Sequence, residues 1–139
     1  MRIEARIADE HRRHVVSLST AGASHELSIA SKPDGYGSSV NGGELLCLAL
    51  ATCYCNDLHR EARRRGIEVV RVEVDAFADF AGEAEAARSL GYRASVAARA
   101  PEDDIRALML HTDRVAEIQA TLRRGIDVRF EAAHAHSVP

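Results

Sequence analysis

Glu44-Leu45-Leu46-Cys47-Leu48-Ala49-Leu50-Ala51-Thr52-Cys53-Tyr54-Cys55 is the stretch that decides the fold. From Leu45 to Cys55 only Thr52 interrupts an apolar run, and wound into a helix that run is apolar almost all the way round. A helix of this kind is buried on several sides, and the run is well short of the ~20 residues that span a bilayer. It therefore predicts a central helix wrapped by sheet or by a partner subunit. Asn41 followed three residues later by Glu44 forms a capping box in which Asn stands for Ser or Thr. Arg63-Arg64-Arg65 suits the negative end of the helix dipole, and Gly66 fits the position just past the end. The helix is thus predicted over 44–65. Its second half (Asn56, Asp57, His59, Arg60 and Glu61) is polar and is expected to emerge into solvent.

Working outward, residues 2–8, 13–19 and 23–30 alternate with period two and predict three antiparallel strands. The Thr20-Ala21-Gly22 link is short enough for a hairpin. Residues 31–43, rich in Gly, Ser, Pro, Asp and Asn, form a long loop. Beyond the helix, residues 67–80 place Val70, Val72, Val74, Ala76, Ala78 and Phe80 on one face of a strand. Residues 91–99 return with Tyr92, Ala94, Val96 and Ala98 inward, across a polar turn from Gly82 to Ala87. Pro101 opens a helix whose apolar stripe runs Ile105, Leu108, Met109, Thr112 and Val115 and continues through Ile118 and Leu122 to Gly125, with a kink near Asp113. Ile126, Val128 and Phe130 alternate as a last strand. The order β-β-β-α-β-β-α-α-β, with helices set between runs of antiparallel strands, is an α+β fold. Its length suits one domain over 1–139.

The composition narrows the function. Hydrophobic residues make up 46% and charged residues 28%, with a net charge of −3, which is an ordinary globular balance. That charge, with a pI near 6.2, argues against a nucleic-acid binder. Lysine occurs once among 18 basic residues, a composition bias that carries little functional information. The opening residues MRIEARIADE contain no apolar segment of the secretory kind. The three cysteines, at 47, 53 and 55, share one short window rather than forming a disulfide framework. A reduced, cytoplasmic protein with no membrane partner is expected.

Cys53, flanked by Leu50, Ala51 and Tyr54, is the candidate for chemistry, set against the inert core role that most buried cysteines play. At about 100° per residue Cys53 and Cys55 point to nearly opposite sides of the helix, and Cys47 is too far along the axis to reach Cys53. Cys55 and His59, one turn apart, could form half of a zinc site. No second Cys/His pair stands at metal spacing, so neither a metal nor another cofactor is assigned.

The run Ser39-Val40-Asn41-Gly42-Gly43-Glu44-Leu45-Leu46-Cys47-Leu48-Ala49-Leu50-Ala51-Thr52-Cys53 resembles the OsmC/Ohr superfamily of small bacterial thiol proteins. The family pattern there is a glycine-bearing loop, then N/S-P-x-E/Q-L-L, a helix rich in small residues, and a cysteine. Gly66-Ile67-Glu68-Val69 resembles the family's step from central helix to long strand, and Val115 to Val128 its C-terminal helix and last strand. The resemblance implies antiparallel sheets around a long central helix, in an intertwined homodimer that would cover the apolar helix. It also implies cysteine-based reduction of organic hydroperoxides in oxidative-stress defence, with Cys53 as nucleophile and Glu44 and Cys55 as weaker candidates for the site. Its small-molecule partner would be a hydroperoxide or a thiol. The sequence departs from the peroxidase pattern at several points: Ala116 stands at the resolving-cysteine position, Glu117 beside it replaces a proline, Gly42 and Gly43 replace the family's proline and glutamate, and Thr20–Ser24 contains no arginine. The peroxidase that the resemblance implies would then work in the one-cysteine manner, its turnover needing an external thiol, or Cys47 or Cys55 after rearrangement of the helix. The alternative is a non-catalytic member that binds a small molecule.

Overall fold

The computed structural model describes all residues, 1–139. The chain divides into two compact units, Met1–Cys47 and Leu48–Pro139.

The first unit is built on a three-stranded antiparallel sheet, β1 (Ile3–Glu10), β2 (Arg13–Thr20) and β3 (Ala23–His25), in that order. β1 and β2 pair from Ile3↔Thr20 to Glu10↔Arg13. The β2–β3 connection is a two-residue turn with both residues at positive φ, Ala21 at 49° and Gly22 at 83°. That backbone matches the right-handed twist of the flanking strands. β3 is shorter than the predicted 23–30, because pairing with β2 ends at Leu18↔His25. Asp9 ties this unit together. One carboxylate oxygen bonds His14 Nδ1 at 2.8 Å and the other accepts the Gly37 N–H at 3.0 Å, which anchors the long loop.

Helix α1 (Gly42–Arg64) begins in the first unit and leads into the second. Its start is the predicted capping box: Asn41 Oδ1 accepts the Glu44 N–H at 2.9 Å and Glu44 Oε2 accepts the Asn41 N–H at 2.8 Å. Gly66, at φ 67°, follows the end of the helix.

The second unit packs the C-terminal half of α1 and helix α2 (Glu102–Val115) against one face of a long hairpin, β4 (Glu68–Phe80) and β5 (Ala87–Arg99). Its core is Tyr54, Leu58, Ala62 and Leu108, with Val69, Val72, Val74, Tyr92, Ala94 and Val96 packed around them. The inward set on β5 is the predicted one. On β4 a register shift between Val69 and Arg71 turns Val70 outward and brings Val69 in, which corrects the predicted strict alternation. A third helix, α3 (Glu117–Arg124), follows α2 after a break at Ala116, whose backbone is extended (φ −67°, ψ 121°). The break lies three residues beyond the predicted kink near Asp113.

Two expectations are corrected. Asp57 and Glu61, expected in solvent, are buried. Burial follows the positions that face the hairpin and α2, not the local hydropathy. Residues 126–130 form no strand: no other strand of the chain pairs with them, and Ile126, Val128 and Phe130 stay exposed. No helix is long and apolar enough to cross a membrane.

Candidate functional site

The geometry around Cys53 is set by helical spacing. Asp57 lies one turn further along α1, so its carboxylate reaches the same face, and Cys53 Sγ donates to Asp57 Oδ2 at 3.4 Å. The break at Ala116 starts α3 beside the sulfur. The Ile118 N–H, in the first turn of α3, donates to Cys53 Sγ at 3.5 Å, and Glu117 Oε2 lies 3.8 Å from it. Cys53, Asp57 and Glu117 are the one group of Cys, His, Asp and Glu side chains whose potential ligand atoms converge, all within 4.8 Å of one another.

Arg60 closes the arrangement from the other side. Its Nη1 donates to Asp57 Oδ1 at 2.7 Å and to Glu117 Oε1 at 3.3 Å, so it meets the two carboxylates through the oxygens that do not contact sulfur. It thereby supplies the positive charge that a metal ion would otherwise bring to these acids. Nε of Arg60 donates to buried Glu61 at 3.0 Å, and Glu61 is also held by Arg64 at 2.8 Å and by His111 Nε2 at 3.2 Å. The hydrogen bond from Arg60 is the main influence that keeps the Glu61 carboxyl below its ordinary value.

These neighbours act on the thiol in opposing directions. Partial burial is the largest influence and pushes Cys53 up. The Ile118 N–H works against it, as donors at a helix N-terminus favour a thiolate. The carboxylates of Asp57 and Glu117 push the thiol up again, and its pKa ends above the ordinary value. Burial, then the contact with Glu117, likewise raises Asp57, whereas Glu117 is lowered, first by its own backbone N–H and then by Asp57. Of the two carboxylates, Asp57 is thus the stronger base. Cys53 at rest is a thiol beside a proton acceptor.

The other predicted residues lie elsewhere. The Glu44 carboxylate is engaged in the α1 capping box. Cys55 is half-buried against a shallow hollow lined by Val72 and Val74, while His59 is exposed, and neither joins the converging group. All three cysteines are free. Ala116, which the resemblance sets at the resolving-cysteine position, is fully buried beside this site. Sequence reasoning missed Asp57, Arg60 and the Ile118 N–H, and treated Glu117 only as a departure from a pattern. The i, i+4 spacing of Cys53 and Asp57 and the i, i+3 spacing of Asp57 and Arg60 were available signals.

The family model for OsmC-like proteins matches residues 35–131, a span containing Cys53, Asp57, Arg60 and Glu117. The chain belongs to the OsmC-like family. Solved OsmC-like structures share its fold. The chain is similar to an OsmC-like protein of Mycoplasma pneumoniae (TM-score 0.65, 10% identity, covering 88% of each chain). It is also similar to one of unknown function from Vibrio cholerae (TM-score 0.62, 10% identity, 87% of this chain and 93% of that one). A third, from Legionella pneumophila, is described as an organic hydroperoxide resistance protein (TM-score 0.58, 16% identity, 93% and 94%). At these identities the likeness shows the OsmC-like fold alone. No curated protein matches the chain.

Proposed function

We propose that this OsmC-like protein reduces organic hydroperoxides through Cys53, in the one-cysteine manner. The observation that carries the reading is the setting of the Cys53 sulfur, with a carboxylate at 3.4 Å to take its proton and a helix-terminal N–H at 3.5 Å to stabilise the resulting anion. Membership of a family with a hydroperoxide resistance protein among its solved structures supports it. In the reaction, Asp57 accepts the S–H proton and the thiolate attacks a peroxide oxygen. The S–O bond forms as the O–O bond breaks, and the departing alkoxide takes a proton to leave as alcohol. Cys53 is left as sulfenic acid. A small external thiol condenses with it to a mixed disulfide, releasing water, and a second thiol restores Cys53 and leaves as the external disulfide.

The test is exposure to tert-butyl hydroperoxide with dimedone present, followed by mass spectrometry. The expected result is a dimedone adduct on Cys53 and none on Cys47 or Cys55. Because the thiol pKa is raised, adduct formation should be slow at pH 7 and accelerate as pH rises toward and beyond 9, the unperturbed value. No adduct on Cys53 at any pH overturns the reading.

The same reading includes a homodimer. Leu48 and Leu110 are more than half exposed in the single chain, and residues 126–130 carry exposed Ile126, Val128 and Phe130 in alternation with no strand to pair with. A second copy can cover such surface and supply a strand edge. Sedimentation equilibrium is expected to return twice the 15.1 kDa chain mass; a monomer at micromolar concentration would rule the dimer out.

A further inference from the structure

When the Cys53 thiolate attacks a hydroperoxide, the electron pair of the O–O bond leaves on the outer oxygen. That alkoxide is a strong base and a poor leaving group unless an acid meets it as the bond breaks. Two carboxyl groups stand near the sulfur, and they face it from different sides.

Asp57 lies on the protein side, with its side chain 7% exposed and Oδ2 at 3.4 Å from the sulfur. Glu117 lies on the solvent side, at 68% exposure, with Oε2 at 3.8 Å. A peroxide reaches half-buried Cys53 from solvent. Attack runs in line with the O–O bond, so the leaving oxygen sits beyond the attacked one, farther from the sulfur and away from the buried wall. Asp57 is therefore set to take the thiol proton, and Glu117 stands beside the path along which the leaving oxygen departs.

Arg60 decides which oxygens are available for this. Its Nη1 donates to Asp57 Oδ1 and to Glu117 Oε1, at 2.7 and 3.3 Å, which leaves Oδ2 and Oε2 toward the sulfur. The two carboxyl groups are themselves close enough to share a hydrogen bond. A buried acid is thus joined to an exposed one at the reacting atom.

We propose that Glu117 Oε2 is the proton donor to the leaving oxygen, resupplied by Asp57, and that it suits the site to alkyl hydroperoxides, whose alkoxide needs such a donor. The proposal rests on the hydroperoxide reading of Cys53. The S–H proton passes to Asp57 Oδ2. The thiolate bonds to the terminal oxygen of the peroxide, the O–O bond breaks, and its electron pair goes to the outer oxygen. Glu117 gives that oxygen a proton as it draws one from Asp57. The sulfur is oxidised to sulfenic acid, the peroxide is reduced to alcohol, and both carboxylates end ionised, as they began.

Peracetic acid separates this role from the other effects of Glu117. It oxidises the same thiol, but its leaving group is acetate, a weak base that departs without a proton. In Glu117→Gln the lost charge lowers the thiol pKa for both oxidants alike, so the ratio of the two rates isolates the proton transfer. Single-turnover loss of the free Cys53 thiol is followed by quenching with N-ethylmaleimide and fragment-resolved mass spectrometry. A positioned general acid is typically worth ~10²–10⁴-fold, so the ratio of the tert-butyl hydroperoxide rate to the peracetic acid rate is expected to fall by at least about tenfold. Glu117 is exposed, and a circular-dichroism melt checks that the variant is folded. An unchanged ratio, with both oxidants consuming Cys53, would overturn the proposal and leave the hydroperoxide reading standing. If tert-butyl hydroperoxide leaves Cys53 of the unmodified protein intact at every pH, both fall together.

Discussion

The double variant Asp57→Asn/Glu117→Gln is expected to make Cys53 react with iodoacetamide at pH 7 about tenfold faster than the unmodified protein. Both carboxylates approach the sulfur, at 3.4 and 3.8 Å, and both raise the thiol pKa. Neutralising them removes two like charges. It also removes the two negative charges that Arg60 now neutralises through their far oxygens, leaving Arg60 held by Glu61. The local field thus changes from net acidic toward net basic. A nearby charge typically moves a pKa by ~1–3 units, and a drop of about two units raises the thiolate fraction about a hundredfold at a pH well below the pKa. Thiolate nucleophilicity falls with basicity, with a Brønsted slope near 0.4–0.5, which returns about a factor of ten. A net gain of about tenfold remains. Mass spectrometry of the Cys53 peptide separates this from alkylation of Cys47 and Cys55, and a circular-dichroism melt confirms that the variant is folded. An unchanged rate would show that the acids do not govern the thiol, whereas a slower one would show that Asp57 acts on it chiefly as proton acceptor.

The second large effect is on stability. Leu58 and Leu108 are both 0% exposed and meet where α1 and α2 pack on the hairpin. Leu→Ala at such a site removes transfer free energy and leaves a cavity, costing ~2–5 kcal/mol. Against the ~5–15 kcal/mol that holds an ordinary domain folded, either Leu58→Ala or Leu108→Ala should lower the urea midpoint sharply. Because the two side chains share one cluster, the double variant should depart from the sum of the single changes. A loss below about 1 kcal/mol for either would mean that the core collapses around the gap. Few hydrophobic side chains in the single chain are fully buried, so little other packing can compensate.

Much of the fold was legible from short patterns. Asn41 and Glu44 announced the helix start, Thr20-Ala21-Gly22 the hairpin, and Tyr92, Ala94, Val96 and Ala98 the inner face of β5. These features are local and depend on two to four residues at fixed spacing. Val70 was misplaced because a bulge is one inserted residue, which period-two reading cannot see. The burial of Asp57 and Glu61 was missed for a different reason. Hydropathy assigns charged residues to solvent, whereas here each carboxylate is matched to an arginine on the next turn of its own helix. At the candidate site, Cys53 was found from its surroundings and from the family resemblance. Its chemical setting depends on Glu117 and the Ile118 N–H, which come from more than sixty residues away and reach the sulfur only because the helix breaks at Ala116. No spacing rule along the chain encodes that meeting.

The pairing of Tyr54 and Tyr92 has a practical consequence. The chain contains no tryptophan and three tyrosines, so its ultraviolet emission is a tyrosine signal. Two of the three emitters stand with ring centroids 5.1 Å apart, in the wall of one hollow. Burial first, with help from Asp113, raises both phenols, Tyr54 to about 12 and Tyr92 further. The protein thus carries an intrinsic optical gauge whose two principal chromophores keep their protons well into alkali. Anything that enters the hollow, or any loosening of the helices around it, should be readable as a change in colourless fluorescence without attaching a label.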